Sequence, residues 1–288
     1  MMFNENGSGL HRRRDVLRMA AAGTLAIAGL PLAQGRTWSA PAGSIVLTPE
    51  ETEGPYFVEE HLNRSDLRVD PTDKSVQTGH PLNLAIAVSQ LHAGTLTPLP
   101  NATVDIWHCS SLGYYSDVAQ QGTVGKKYLR GSQTTDRAGA ARFTTIYPGW
   151  YAGRTVHVHA KVRLFDGKKT TYEFNTQLFF DDSQTDKVYT LAPYRGRGAR
   201  QVRNMDDGIY LGGRRGDAAS AKGAKLMVAL ADSTAAATGK FNMILDLSHK
   251  PMGERGGPGG PRGFGPPPPG GRGGFGPPPP GFGPPPGF

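Results

Sequence analysis

The chain has a single cysteine, Cys109, among its 288 residues, so an internal disulfide framework is excluded. Close to Trp107 in a stretch of strand formers, that thiol reads as a small buried hydrophobe with no catalytic role. A membrane-spanning segment is not expected: the Ala-rich apolar run from Met19 to Ala33 falls short of the about 20 residues a spanning helix needs. Acidic residues are outnumbered, 24 against 32 Lys and Arg, yet the resulting net charge of +8 is dispersed. Five Arg against Glu5 and Asp15 give residues 1–40 a share of +3, three Arg against Glu254 give residues 251–288 +2, and +3 remains for residues 41–250. With no recognition helix and no basic stripe, a nucleic-acid partner is not expected. Arg195, Arg197, Arg200 and Arg203 form a local cluster, read as a solvated loop, with attraction of an anionic aromatic acid the alternative.

The two ends differ from the middle. Arg12-Arg13-Arg14-Asp15-Val16-Leu17-Arg18 precedes the apolar run, and small residues follow to Ala42, the layout of a signal peptide over residues 1–42 with cleavage between Ala33 and Ala42. Arg13-Arg14-x-Val-Leu-Arg resembles the twin-arginine export consensus. The expectation is an exported protein, periplasmic or extracellular, with no stable membrane insertion after processing. Residues 251–288 turn to Gly, Pro, Phe and Arg, with Gly-Phe-Gly-Pro-Pro-Pro recurring from Gly263, Gly274 and Gly281. Too few apolar side chains and too many strand and helix breakers predict a disordered, partly polyproline-II tail, either a spacer or a contact element for a cell surface or polymer.

Residues 43–250 are enough for one well-buried domain. Leu82 to Val88 alternates with period two, Ala102 to Trp107, Ala141 to Ile146 and Thr155 to Leu164 are rich in strand formers, and Gln177 to Phe180, Leu226 to Ala231 and Phe241 to Leu247 follow. Asp136-Arg137-Ala138-Gly139 and Asp166-Gly167-Lys168 read as turns, and no long helical pattern follows the signal segment. The fold class is therefore all-β, an antiparallel β-sandwich with long loops.

Within that domain, Tyr151 stands a few residues before His157-Val158-His159. On a strand, residues i and i+2 share a face, so His157 and His159 aim both imidazoles at one point. Phenolate oxygen with imidazole nitrogen is a hard donor set, suited to ferric iron. The wider sequence carries Asp105-Ile106-Trp107, then Gly113-Tyr114-Tyr115-Ser116, Pro148-Gly149-Trp150-Tyr151, Arg154-x-x-His157-x-His159 and Thr176-Gln177. In that order and spacing, from about Leu47 to Tyr210, the sequence resembles the intradiol ring-cleavage dioxygenases, the catechol and protocatechuate dioxygenase family, and in particular their exported single-chain branch.

The resemblance implies Tyr115, Tyr151, His157 and His159 as ligands to one non-haem Fe(III) per chain, with Tyr114 and Tyr147 the neighbouring alternatives. It implies Tyr151, Arg154 and Gln177 as catalytic residues, with Arg154 and Gln177 on the substrate side, and leaves Tyr56 open between a pocket and a structural role. The implied substrates are a small aromatic diol and O2, the ring opening between the two hydroxylated carbons to a muconate-type dicarboxylic acid. Ring substituents and oligomeric state are not readable. Two other readings are a non-catalytic β-sandwich surface protein that binds metal or aromatics, and a zinc hydrolase. The Arg154 and Gln177 pair argues against the first, and two tyrosine ligands against the second. Because the tail lies far in sequence from the ligand set, truncation after Lys250 is expected to leave iron content and turnover of a soluble catechol unchanged. Steady-state kinetics of the two lengths, beside a pull-down on lignin-like particles, tests this; a folded, iron-loaded truncation unable to cleave catechol would contradict it.

Overall fold

In β1 (Pro81–His92), Leu82, Leu84, Ile86 and Val88 are buried while their neighbours are less so, the period-two alternation of a strand with one face in a core. A computed structural model describes residues 45–213, 221–231 and 235–248. The signal-type segment and the Gly/Pro tail lie outside the described residues. Among those described, β1 carries β2 (Thr95–Pro98) and β5 (Ala140–Ile146) end to end on one edge, and β9 (Ala237–Leu245), itself paired with β8 (Ala229–Ala231), on the other. A second sheet has the order β4-β3-β6-β7, from Arg130–Thr134, Thr103–Trp107, His157–Asp166 and Lys169–Phe179. Inward side chains of both sheets, including Leu84, Ile86, Phe143, Val104, Val158, Val162 and Leu178, form one continuous core. Each such side chain contributes about 1.5–3 kcal/mol on burial.

The sandwich is all-β as expected, with particular departures. β1 and β9 run parallel, since β9 is reached by a long crossing rather than a hairpin. β7 begins at Lys169, ahead of the expected Gln177, because Tyr172 and Phe174 already alternate into the core. A short helix α1 (Asp182–Val188) was not anticipated; Asp181 caps it by accepting from the Ser183 and Gln184 amides. No helix among the described residues is long and apolar enough to cross a membrane.

β6 is buried on both faces through its first seven residues. Val158, Ala160 and Val162 enter the core, leaving His157, His159, Lys161 and Arg163 on the outer face. That face is covered by residues 49–64, which cross the sheet strand by strand. Glu51 N donates to Asn175 O on β7 (2.9 Å), Glu53 pairs with Lys161 on β6 (2.7 Å), Phe57 packs edge-on to Trp107 of β3 (4.9 Å), and Arg64 N donates to Ser132 O on β4 (3.0 Å). Lys161 also pairs with Glu173 (2.9 Å) and lies 3.7 Å from the Phe57 ring, while Arg163 is held by Glu59 and Asp105. Lys161 and Arg163 thus each have two carboxylate partners, so neither buried charge is left unpaired.

His108, directly after β3, is fully enclosed, with Nδ1 on Cys109 O (2.9 Å) and Nε2 on Thr145 Oγ1 (2.7 Å). Burial lowers its pKa from the ordinary 6.5 to about 4. Above pH 6.5 the folded and unfolded chains both hold it neutral; between 6.5 and about 4 only the unfolded chain takes up the proton, so stability falls as pH falls. The complete loss amounts to about 3 kcal/mol. Urea unfolding of metal-free protein at pH 7 and 4.5 is expected to show a shallower pH dependence in His108→Gln than in the wild type. Equal dependence in the two would contradict this.

Candidate metal centre

The antiparallel register sets Trp107 of β3, His159 of β6 and Gln177 of β7 in one row across the outer face. The indole stacks flat on the His159 imidazole, with centroids 4.9 Å apart and planes within 7°. Two residues along β6, His157 turns its Nε2 to within 3.1 Å of His159 Nε2. Tyr115, on the loop after β3, brings its Oη to 3.5 Å of His157 Nε2, and Tyr151, on the turn between β5 and β6, brings its Oη to 3.2 Å. All four residues singled out in the sequence therefore meet around one point. Tyr147 does not: its hydroxyl bonds Thr185 Oγ1 (2.7 Å) and its ring packs on Phe180 inside the sandwich core.

The motif residues around these donors have local reasons. Gly149 sits where a Cβ would lie 2.4 Å from Ser110 O, and Gly113, at φ +85°, where a Cβ would lie 2.3 Å from Trp150 O. Any side chain at either position would push apart the loops that carry Tyr115 and Tyr151. Ser116 donates to Tyr128 O (2.8 Å) and accepts from Arg130 Nε (2.7 Å). Arg130 also donates to Tyr56 O (2.6 Å), tying the covering segment to the Tyr115 loop. Tyr56 stacks on Tyr115 with centroids 4.5 Å apart, and Gly54, at φ +76°, brings its backbone against the His159 ring.

His157 Nδ1 lies 2.6 Å from the Thr155 carbonyl, which can only accept, so the proton is on Nδ1 and the Nε2 lone pair faces the other three donors. His159 Nδ1 is buried with no hydrogen-bond partner among the described residues. Two ligands each about 2.1 Å from one cation and subtending 90–110° stand about 3.0–3.4 Å apart, close to the spacings around His157 Nε2. The donor set of two phenols and two imidazoles fits a hard trivalent ion. No group of three or more His, Cys, Asp or Glu capable of holding a metal exists among the described residues, so this mixed Tyr/His set is the candidate.

Electrostatically the site is largely desolvated, with Arg154 beside all four donors and Arg130 acting also on His159. Burial pushes the Tyr115 and Tyr151 phenols above their ordinary range and the His157 and His159 imidazoles well below theirs; the Arg154 charge opposes the first shift and adds to the second. Tyr151 alone of the four keeps partial solvent exposure. Arg154 is fixed by Nε donating to Asp207 Oδ2 (2.8 Å) and Nη2 to Gln177 Oε1 (2.6 Å), while Gln177 Nε2 donates to Thr52 O (2.9 Å). Asp207 also accepts from the Thr155, Ile209 and Tyr210 amides. Sequence reasoning missed Asp207, since nothing in spacing ties it to Arg154. The arginine cluster is only in part the solvated loop expected: Arg195 and Arg203 are exposed, Arg203 pairing with Asp186, whereas the Arg200 side chain is enclosed on Asp182 and Asp186 and Arg197 stacks 4.5 Å over Trp150. Cys109 is buried, as expected.

Residues 52–185 match the family model described as Dioxygenase. The chain is 30% identical over 149 residues to catechol 1,2-dioxygenase of Acinetobacter baylyi, covering 44% of this chain and 46% of that protein. It is 28% identical over 164 residues to catechol 1,2-dioxygenase 1 of Acinetobacter lwoffii, covering 47% and 49%. It thus spans about half the length of the curated relatives it matches. The solved intradiol ring-cleavage dioxygenase from Tetranychus urticae superposes with a TM-score of 0.59 at 27% identity, over 72% of this chain and 97% of that one. The family model, the two curated relatives and the solved structure together support the intradiol ring-cleavage dioxygenase family for this chain.

Proposed function

We propose that the protein is an exported Fe(III)-dependent intradiol dioxygenase that opens catechol-type rings with O2. The observation that carries this reading is the convergence of Tyr115, Tyr151, His157 and His159 beside the anchored Arg154–Gln177 pair. These four side chains would hold one iron per chain. A bound ferric ion would supply Lewis acidity, drawing charge from the ring of a coordinated diol so that the organic substrate is the activated partner.

The chain's own groups divide the remaining work. Tyr151, the partly exposed phenol, is the group that would leave the metal and take a proton from the incoming diol. Tyr115, wholly buried under Tyr56, would stay in place. Arg154 cannot deprotonate, so its guanidinium stabilises negative charge developing on the ring. Gln177 and Asp207 hold it in position, and the covering segment excludes water from the His159 side. Both oxygen atoms of O2 enter the product, the carbon–carbon bond between the hydroxylated carbons breaks, and two carboxylates form. Export is supported by the residue pattern of 12–42, and the catechol relatives support the substrate class.

Purified protein is expected to carry one iron per chain and a red-brown phenolate charge-transfer band that shifts when catechol is added without O2. Tyr151→Phe should retain iron, lose part of the colour and open catechol slower by about 10²–10⁴-fold, the range for removal of a positioned base. His157→Ala should lose the metal. Colourless protein holding stoichiometric zinc after iron-replete expression would overturn the proposal, and wild-type turnover in Tyr151→Phe would remove Tyr151 from its role.

A further inference from the structure

The four peptide carbonyls immediately before Tyr151 are each taken by a side chain from elsewhere. Tyr194 Oη donates to Tyr147 O (2.7 Å), Tyr189 Oη to Pro148 O (3.0 Å), Cys109 Sγ to Gly149 O (3.3 Å), and Arg197 Nη1 to Trp150 O. Two amides of the same turn are also fixed, Tyr147 N on His80 O (2.8 Å) and Gly149 N on Ser110 O (3.1 Å). The donors brace one another. The Tyr189 and Tyr194 rings stack at 5.2 Å with planes within 9°, Tyr194 Oη also accepts the His80 amide (2.9 Å), and the Arg197 guanidinium lies 4.5 Å over the Trp150 ring. No carboxylate among the described residues pairs with Arg197, so its charge is directed at this turn and the groups around it.

The bracing stops abruptly. Residues 145–149 are buried, Trp150 to Ala152 are partly exposed, and Gly153 is exposed with a left-handed backbone at φ +84°. A chain held by its carbonyls up to residue 150 and by Arg154 and Thr155 on Asp207 from residue 154 leaves Tyr151 to Gly153 as the one short span without such anchors. We propose that Tyr189, Tyr194, Arg197 and Cys109 are positioning residues, a clamp that fixes the backbone pivot of Tyr151 so that its phenol can depart and return along one path. The inference rests on the ligand and base role proposed above for Tyr151. It assigns a function to the arginine-rich stretch after α1 that the ring-opening chemistry itself does not use. The clamp acts through Tyr151 and touches neither substrate nor metal. Hydrogen bonds of this kind, buried at Tyr194 and Cys109 and partly buried at Tyr189 and Arg197, raise the local opening free energy of the segment they hold.

The test uses the full-length chain as Tyr189→Phe, Arg197→Gln and Arg197→Lys. Tyr189→Phe removes one oxygen and keeps the stack on Tyr194, so the fold is retained. Hydrogen exchange of the Tyr147 and Gly149 amides is expected to quicken by about tenfold in Tyr189→Phe and Arg197→Gln, with exchange in β1 and β9 unchanged. Iron-loaded Tyr189→Phe and Arg197→Gln should keep full metal content, show a shifted phenolate band, and lose kcat by about tenfold with little change in KM. Arg197→Lys, lacking the planar fork, should not restore the band. Unchanged exchange at Tyr147 and Gly149 would overturn the clamp, as would faster exchange with band and kcat intact, since the contacts would then be structural only. A wild-type protein with no phenolate band would instead sink the proposed function, which separates the two failures.

Discussion

A strand that must be dry on both faces organises this molecule. β6 commits Val158, Ala160 and Val162 to the sandwich core, and the same period of two forces His157, His159, Lys161 and Arg163 outward together. The charged groups of β6 on that face cannot be left unpartnered once covered, so the covering segment supplies Glu53 and Glu59, the neighbouring strands supply Glu173 and Asp105, and the stacked Trp107 ring shields His159. What separates the upper end of this row from the lower is the partner chemistry. Lys161 and Arg163 meet carboxylates, whereas His157 and His159 meet two phenols and each other.

That difference sets the electrostatics. With burial holding the imidazoles neutral and the phenols protonated, the pocket by itself carries no negative charge to balance Arg154. Asp207 takes that role, and by also accepting three backbone amides it fixes the guanidinium relative to β6. A multivalent cation among the four donors would reverse the phenol shifts, because a bound metal ion is the largest local charge and favours the phenolate form. On the proposed reading, a neutral hydrogen-bonded cluster would become a pair of phenolates around the cation, an attraction strengthened by the burial of Tyr115, His157 and His159.

The parts of this that were legible in the sequence are those governed by short-range rules. The H-x-H spacing predicts two imidazoles on one face because strand geometry is periodic, and the β1 alternation marks a core strand for the same reason. The choice of Tyr151 over Tyr147 followed motif spacing, and Tyr147 is found bonded to Thr185 inside the core. Long-range pairings left no trace in the pattern. Asp207 lies 53 residues from Arg154, the crossing of residues 49–64 over four strands depends on register, and the parallel pairing of β1 with β9 depends on the path of the intervening chain. The arginine cluster misled because composition cannot tell a solvated guanidinium from one, like Arg200, enclosed by Asp182 and Asp186.

The central claim, that the Tyr/His cluster opens an aromatic diol between its hydroxylated carbons, is tested most directly by the products formed from catechol under 18O2 with iron-replete enzyme. The account predicts a muconate-type dicarboxylic acid carrying two 18O atoms, one in each carboxylate. A ring-opened semialdehyde, or a product with 18O at one end only and no exchange with water to explain it, would contradict it.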